Sequence, residues 1–154
     1  MDSTIRSNLD NLCVDDRQAQ GQAFLFILEQ TEKPVDWAYE VWDVLVENLR
    51  HKDNHCRAIA AQILCNLAKS DPNNRILGDF EALIAVTKDK RFVTARHSLQ
   101  AIWKVGAAGE QQQTLLVDAL ADRFKACISE KNTTLIRYDI IQGFRNLYDA
   151  VKDD

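Results

Sequence analysis

The stretch RFVTARHSLQAIWKVG, Arg91 to Gly106, decides the fold. Its apolar residues Leu99, Ile102, Trp103 and Val105 recur at the three- and four-residue steps that share one face of a helix. Arg96 stands at the head of that stripe. The stretch HCRAIAAQILCNLAK, His55 to Lys69, follows nearly the same plan, with Arg57 in the matching place 39 residues before Arg96. An arginine in the first turn meets the positive end of the helix dipole, which is unfavourable unless a carboxylate lies nearby. Two such helices in tandem predict a repeat, and predict an acidic partner for each arginine.

Working outward, Arg17, Arg57, Arg96 and Arg137 are spaced by 40, 39 and 41 residues. Seven residues after each comes Phe24, Leu64, Trp103 or Phe144. Three after each comes Gln20, Ala60, Leu99 or Ile140, with Gln20 the odd member. A helix lies before each arginine helix. Val35 to Arg50 is apolar around most of its circumference, with Asp36, Glu40, Asp43, Glu47 and Arg50 in one polar stripe, so it packs on more than one side. Arg75 to Thr87 gathers Ile76, Phe80, Leu83 and Ile84, and Gln111 to Ile128 gathers Leu116, Leu120, Phe124 and Cys127. The last helix, from Thr134, places Ile136, Ile140, Phe144, Leu147 and Tyr148 together. At the start, a helix over Asp15–Gln30 turns Ala19, Ala23, Phe24 and Ile27 inward, and a shorter one runs from Ser3 to Cys13. Asp53 or Asn54 caps the helix that follows it, Pro72 stops that helix, and Gly106 suits a C′ position.

The 154 residues predict one domain, and the 46% hydrophobic content spread along the chain excludes disorder. Five glycines and two prolines are too few for a turn-rich β fold. The net charge of −4 counts against a general nucleic-acid binder. Four cysteines, Cys13, Cys56, Cys65 and Cys127, form no CxxC and no regular framework, which predicts free buried thiols in a reducing compartment. The N-terminus has no apolar signal region and no segment is long enough to span a membrane. A cytoplasmic protein is expected.

The units DVLVENLRHKDNHCRAIAAQILCNLAK and ALIAVTKDKRFVTARHSLQAIWKVG resemble HEAT repeats. That family runs a first helix, a turn carrying Asp, then an Arg in a small-residue-rich second helix. Asp53 with Arg57 and Asp89 with Arg96 fit it, and Glu130 with Arg137 fits more loosely. The resemblance implies an all-α, right-handed α-α superhelix of about four helix pairs, near 3–33, 34–71, 72–108 and 109–151, forming a single domain over 1–154. It implies that Asp53, Arg57, Asp89, Arg96 and Arg137 form a structural ladder between neighbouring units. It also implies that second helices line the concave face.

No catalytic motif is present: no P-loop, GxGxxG, GxSxG or HExxH. The cluster HKDNHC (His51 to Cys56) has two histidines four apart, but a cap at Asp53 or Asn54 leaves His51 outside the helix, so no metal site is expected. Trp42 and Trp103 read as core, and Trp37 reads as core or as a partly exposed contact. From Lys88 to Lys104 the chain carries six basic residues, counting His97, and one acid, Asp89. The expectation is a protein-interaction or scaffold module without cofactor, with Lys69, Arg91, Lys104 and Arg145 forming a basic concave face. Its partner is a helical or acidic segment of another protein. Tyr138, Tyr148 and Val151 at the last unit leave a monomer or weak dimer open. Two alternatives carry other chemistry: a HEAT-like DNA-alkylation-repair glycosylase or other nucleic-acid binder, using Trp37, Trp42, Asp43 and Arg57, and a HEAT-like lyase or chaperone subunit.

Overall fold

The computed structural model describes residues 1–152, and these are all-helical, without strands. The helices are α1 (Ser3–Asp10), α2 (Arg17–Gln30), α3 (Ala38–Asn48), α4 (Asn54–Leu67), α5 (Arg75–Val86), α6 (Phe92–Ala101), α7 (Trp103–Gly106), α8 (Glu110–Ala126) and α9 (Thr133–Val151). α3 packs on α4, α5 on α6 and α8 on α9, while α4 lies beside α6 and α6 beside α9. No described helix is long and apolar enough to cross a membrane.

Starts of helices are set by short polar side chains. The Asp16 carboxylate accepts from the N–H groups of Gln18 and Ala19, capping α2. Asp53, rather than Asn54, caps α4 by accepting from His55 N. Asp71 reaches forward past Pro72 and accepts from both Arg75 N and Ile76 N at 2.8 Å, so the SDPNN turn ends one helix and starts the next.

α4 is the centre of the core. Eleven of its 14 residues are buried, because α3 and α6 flank it and α2, α5 and α7 also touch it. Ala58, Ala60 and Ala61 keep it thin enough for that. Trp42 is fully enclosed and donates its indole N–H to Asp79 at 2.8 Å. Gln20, the polar residue at an apolar repeat position, is buried because its amide donates to Leu12 O at 3.0 Å and its oxygen accepts from Arg17.

Four features differ from the sequence reading. The helix expected over Arg91–Gly106 is two: the chain tightens at Ile102, where Val105 N bonds Ile102 O in a three-residue turn, separating α6 from α7. Gly106 is not a left-handed cap but a buried member of α7; a Cβ there would stand 3.1 Å from Leu147 Cδ2, so its smallness lets α9 approach. In α5, Val86 rather than Ile84 takes the fourth core position. Cys13 and Cys56 are not free thiols. The turn after α1 lies over the first turn of α4, which brings their Cα atoms to 5.3 Å and joins them as a disulfide across 43 residues of sequence. Cys65 and Cys127 are free and buried.

Candidate functional site: an arginine ladder and a groove along α4

Three of the four repeated arginines find acidic partners in the following unit. Arg17 Nη1 meets Asp53 Oδ2 at 2.7 Å. Arg57 holds Asp89 with two bonds, Nε at 2.7 Å and Nη2 at 3.0 Å, and donates its Nη1 to His51 O. Arg96 holds Asp139 in the same two-bond manner, at 2.9 and 3.1 Å. The Arg17 guanidinium and the His55 N–H hold the Asp53 carboxyl well below the usual carboxylate range, against the upward push of burial. Burial pushes Asp89 up, but the hydrogen bonds from Arg57 and from Arg91 N outweigh it and the net shift is downward.

Arg137 does not join the ladder. It donates from Nε to Phe124 O at 3.1 Å and lies over the Phe124 ring, 4.3 Å from its centroid. Glu130, the turn acid expected to continue the series, pairs with Arg123 of α8 instead. Asp139, which completes the third rung, lies inside α9, where an acid among apolar residues carried no turn signal.

Two depressions open on one face of α4. His55, Ala58, Ile59, Gln62, Asn66 and Lys69 fall on a single helical stripe, about 20 Å long at 1.5 Å per residue. At the N-terminal end of α4, a depression of about 350 Å³ lies between Gly21 and Phe24 of α2 and His97 of α6, over Ala58, Ile59 and Gln62. At the other end, one of about 440 Å³ is lined by Glu32, Asn66, Lys69, Trp103, Lys104 and Ala150. Trp103, expected in the core, is half-buried and forms part of this wall.

Lys69 and Lys104 meet at this second end. Lys69 Nζ donates to Thr31 O at 2.8 Å, Lys104 Nζ donates to Asn66 Oδ1 at 2.9 Å, and Asn66 Nδ2 donates to Thr31 Oγ1. Neither lysine has a carboxylate within 4 Å among the described residues. Burial and the charge of Lys104 hold the Lys69 ammonium below its ordinary value, with Glu32 acting in the opposite direction. Arg91 and Arg145 are not brought to the same place. Arg91 stands just before α6, about 20 Å along the helix axis from Lys104. Arg145 is exposed on α9 and reaches Asp149, one turn on, at 3.4 Å.

The remaining residues with chemistry are engaged. Cys13, His51 and Cys56 bring donor atoms within 4.8 Å of one another. The two sulfurs are bonded to each other, however, and His51 Nδ1 accepts from Asp53 N at 3.0 Å, which leaves Nε2 carrying the proton in the neutral ring. Burial pushes the Cys65 thiol up to about 12, so it carries no thiolate at neutral pH. Trp37 and Trp42 are buried, Arg57 is held by Asp89 and Asp43 by Arg75, so these four are not gathered around one cavity.

No protein-family model matches the chain, and no curated protein matches its sequence. Among solved structures, the crystal structure of an engineered protein superposes with a TM-score of 0.64 at 17% identity, covering 98% of this chain and 40% of that one. The likeness is one of fold alone.

Proposed function

We propose that the protein is an interaction module built of HEAT-like helix pairs, and that the groove along α4 takes an acidic helical segment of a partner protein. In this reading α2, α4, α6–α7 and α9 are second helices, and the groove lies on their shared concave face. The observation that carries it is the pair Lys69 and Lys104. Both are held by neutral acceptors and line one depression, and a second depression, floored by Ala58, Ile59 and Gln62, opens further back on the same face of α4. Two neighbouring ammonium groups with no ion-pair partner among the described residues attract a carboxylate from outside, and an apolar floor takes the uncharged side of an amphipathic helix. The binding face is narrower than the four residues expected from sequence: Lys69 and Lys104 belong to it and Arg91 and Arg145 lie outside it.

The test is binding of a fluorescent amphipathic helix with one Glu-rich and one Leu-rich face. Lys69→Glu with Lys104→Glu is expected to weaken it at least tenfold, while Arg91→Glu with Arg145→Glu leaves it unchanged. Equal binding by both variants and the wild type removes the groove from the reading. Loss only in the second variant moves the site to the outer arginines.

A further inference from the structure

The third step of the ladder leaves an opening. Between the turn after α5 and the turn after α8 lies a cavity of about 260 Å³. Lys88, Lys90, Arg96, Arg123, Lys131 and Asn132 are among its lining residues. Its two acids are occupied: Asp89 by Arg57 and the Arg91 N–H, Glu130 by Arg123. Among the described residues no carboxylate lies within 4 Å of Lys88, Lys90 or Lys131. Arg123 is 6% exposed and spends both terminal nitrogens on Glu130, yet its buried Nε–H has no acceptor among the described residues. A buried guanidinium donor left unmade is costly, and it asks for an oxygen that the chain does not supply. The N-termini of α6 and α9 also open here, at Phe92 and Asn132, and neither helix has a side-chain cap. Uncapped first-turn N–H groups and the helix dipole both favour an anion.

We propose that this cavity is a binding site for a phosphate group, either the free ion or a phosphate monoester. The surplus of cations over acids matches a doubly charged oxyanion, and a tetrahedral group offers oxygens to Arg123, the lysines and a helix N-terminus at once. A planar carboxylate has too few oxygens and too little charge to satisfy them together. The site lies at the turns and shares no lysine with the α4 groove, so it stands or falls separately from it.

Thermal unfolding and calorimetric titration with inorganic phosphate test this, with chloride at equal ionic strength as the control and phosphoserine as a second ligand. Phosphate is expected to raise the unfolding temperature where chloride does not. Lys88→Gln with Lys131→Gln, both exposed and outside the ladder, is expected to weaken phosphate at least tenfold; Lys69→Gln with Lys104→Gln leaves it unchanged. Phosphoserine binding in place of the free ion assigns the monoester, and the reverse assigns the ion. A phosphate effect no larger than that of chloride overturns the proposal. So does an effect that survives Lys88→Gln/Lys131→Gln and vanishes with Lys69→Gln/Lys104→Gln.

Discussion

Asp89 and Glu130 occupy the same place in successive turns, seven residues before Arg96 and Arg137, yet they serve different partners. Asp89 turns back to Arg57 in the preceding unit and closes a rung in which the two side chains are only 8% and 10% exposed. Glu130 is taken by Arg123 of its own unit and stays 45% exposed. Arg96, deprived of it, takes Asp139 from within α9. The first arrangement locks two turns together. The second separates them by a cavity with more cations than acids. Spacing brings the right kinds of residue to a junction, and competition among nearby cations decides which pair forms.

Removing the closed rung has the greatest cost. Arg57→Ala leaves Asp89 buried with only the Arg91 N–H, and strands the carbonyls of His51 and Lys52 that Arg57 also serves. A loss of about 3–5 kcal/mol in urea unfolding is expected, the scale for removing one partner of a buried pair. Arg57→Lys should recover little, because an ammonium cannot reproduce the two-bond fork. A cost comparable to an ordinary surface substitution would sink the structural role of the ladder.

Acid acts on both junctions. Asp53, Asp89 and Glu130 all have folded-state carboxyls held below their ordinary values, Glu130 through Arg123 first and Lys88 among the lesser causes. Groups lowered by folding bind fewer protons folded than unfolded, so stability is full above the unfolded values near pH 4 and falls as pH drops through them. Urea midpoints at pH 7, 4 and 3 should decline in that order. Asp89→Asn, although less stable at pH 7, should flatten the decline more than Glu130→Gln, because solvent screens the exposed Glu130 pair. The opposite ranking would mean that the turn of α8–α9, not the buried rung, carries the acid sensitivity.

The helices and the existence of the ladder were legible because both rest on local period: apolar steps of three and four, and arginines near every 40 residues. That Asp53, Arg57 and Asp89 sit where turn and helix meet was legible, but not which pairs form: Asp53 is taken by Arg17, which stood outside the expected ladder. Nor were the pairings legible where a third residue intervenes. Nothing local marks Arg123 as a competitor for Glu130, and Asp139 looks like a solvated helix acid although it is buried. The Cys13–Cys56 bond was hidden for the same reason, since it depends on how the turn after α1 lies over the start of α4. In the groove, Lys69 and Lys104 lie on different helices and meet only through packing, while Arg91 and Arg145 share their charge but not their place.

The smallest expected effect tests the outer end of the ladder. Arg17 is 55% exposed and Asp53 is the more enclosed partner, which also accepts from His55 and caps α4. Removing Arg17 leaves Asp53 with its cap bond and with water, and leaves Gln20 with its bond to Leu12 O, so neither is wholly stranded. Arg17→Gln should lower the unfolding temperature only slightly at low salt. The difference should shrink in 1 M NaCl, where the Debye length falls to about 3 Å and ions from solvent reach the exposed guanidinium. The Arg57→Ala loss should persist there, because a buried pair is screened far less. If instead Arg17→Gln costs as much as Arg57→Ala, and the cost survives salt, burial is not what grades the rungs. The contrast between the closed and the displaced junction would then have to come from the helix ends they join.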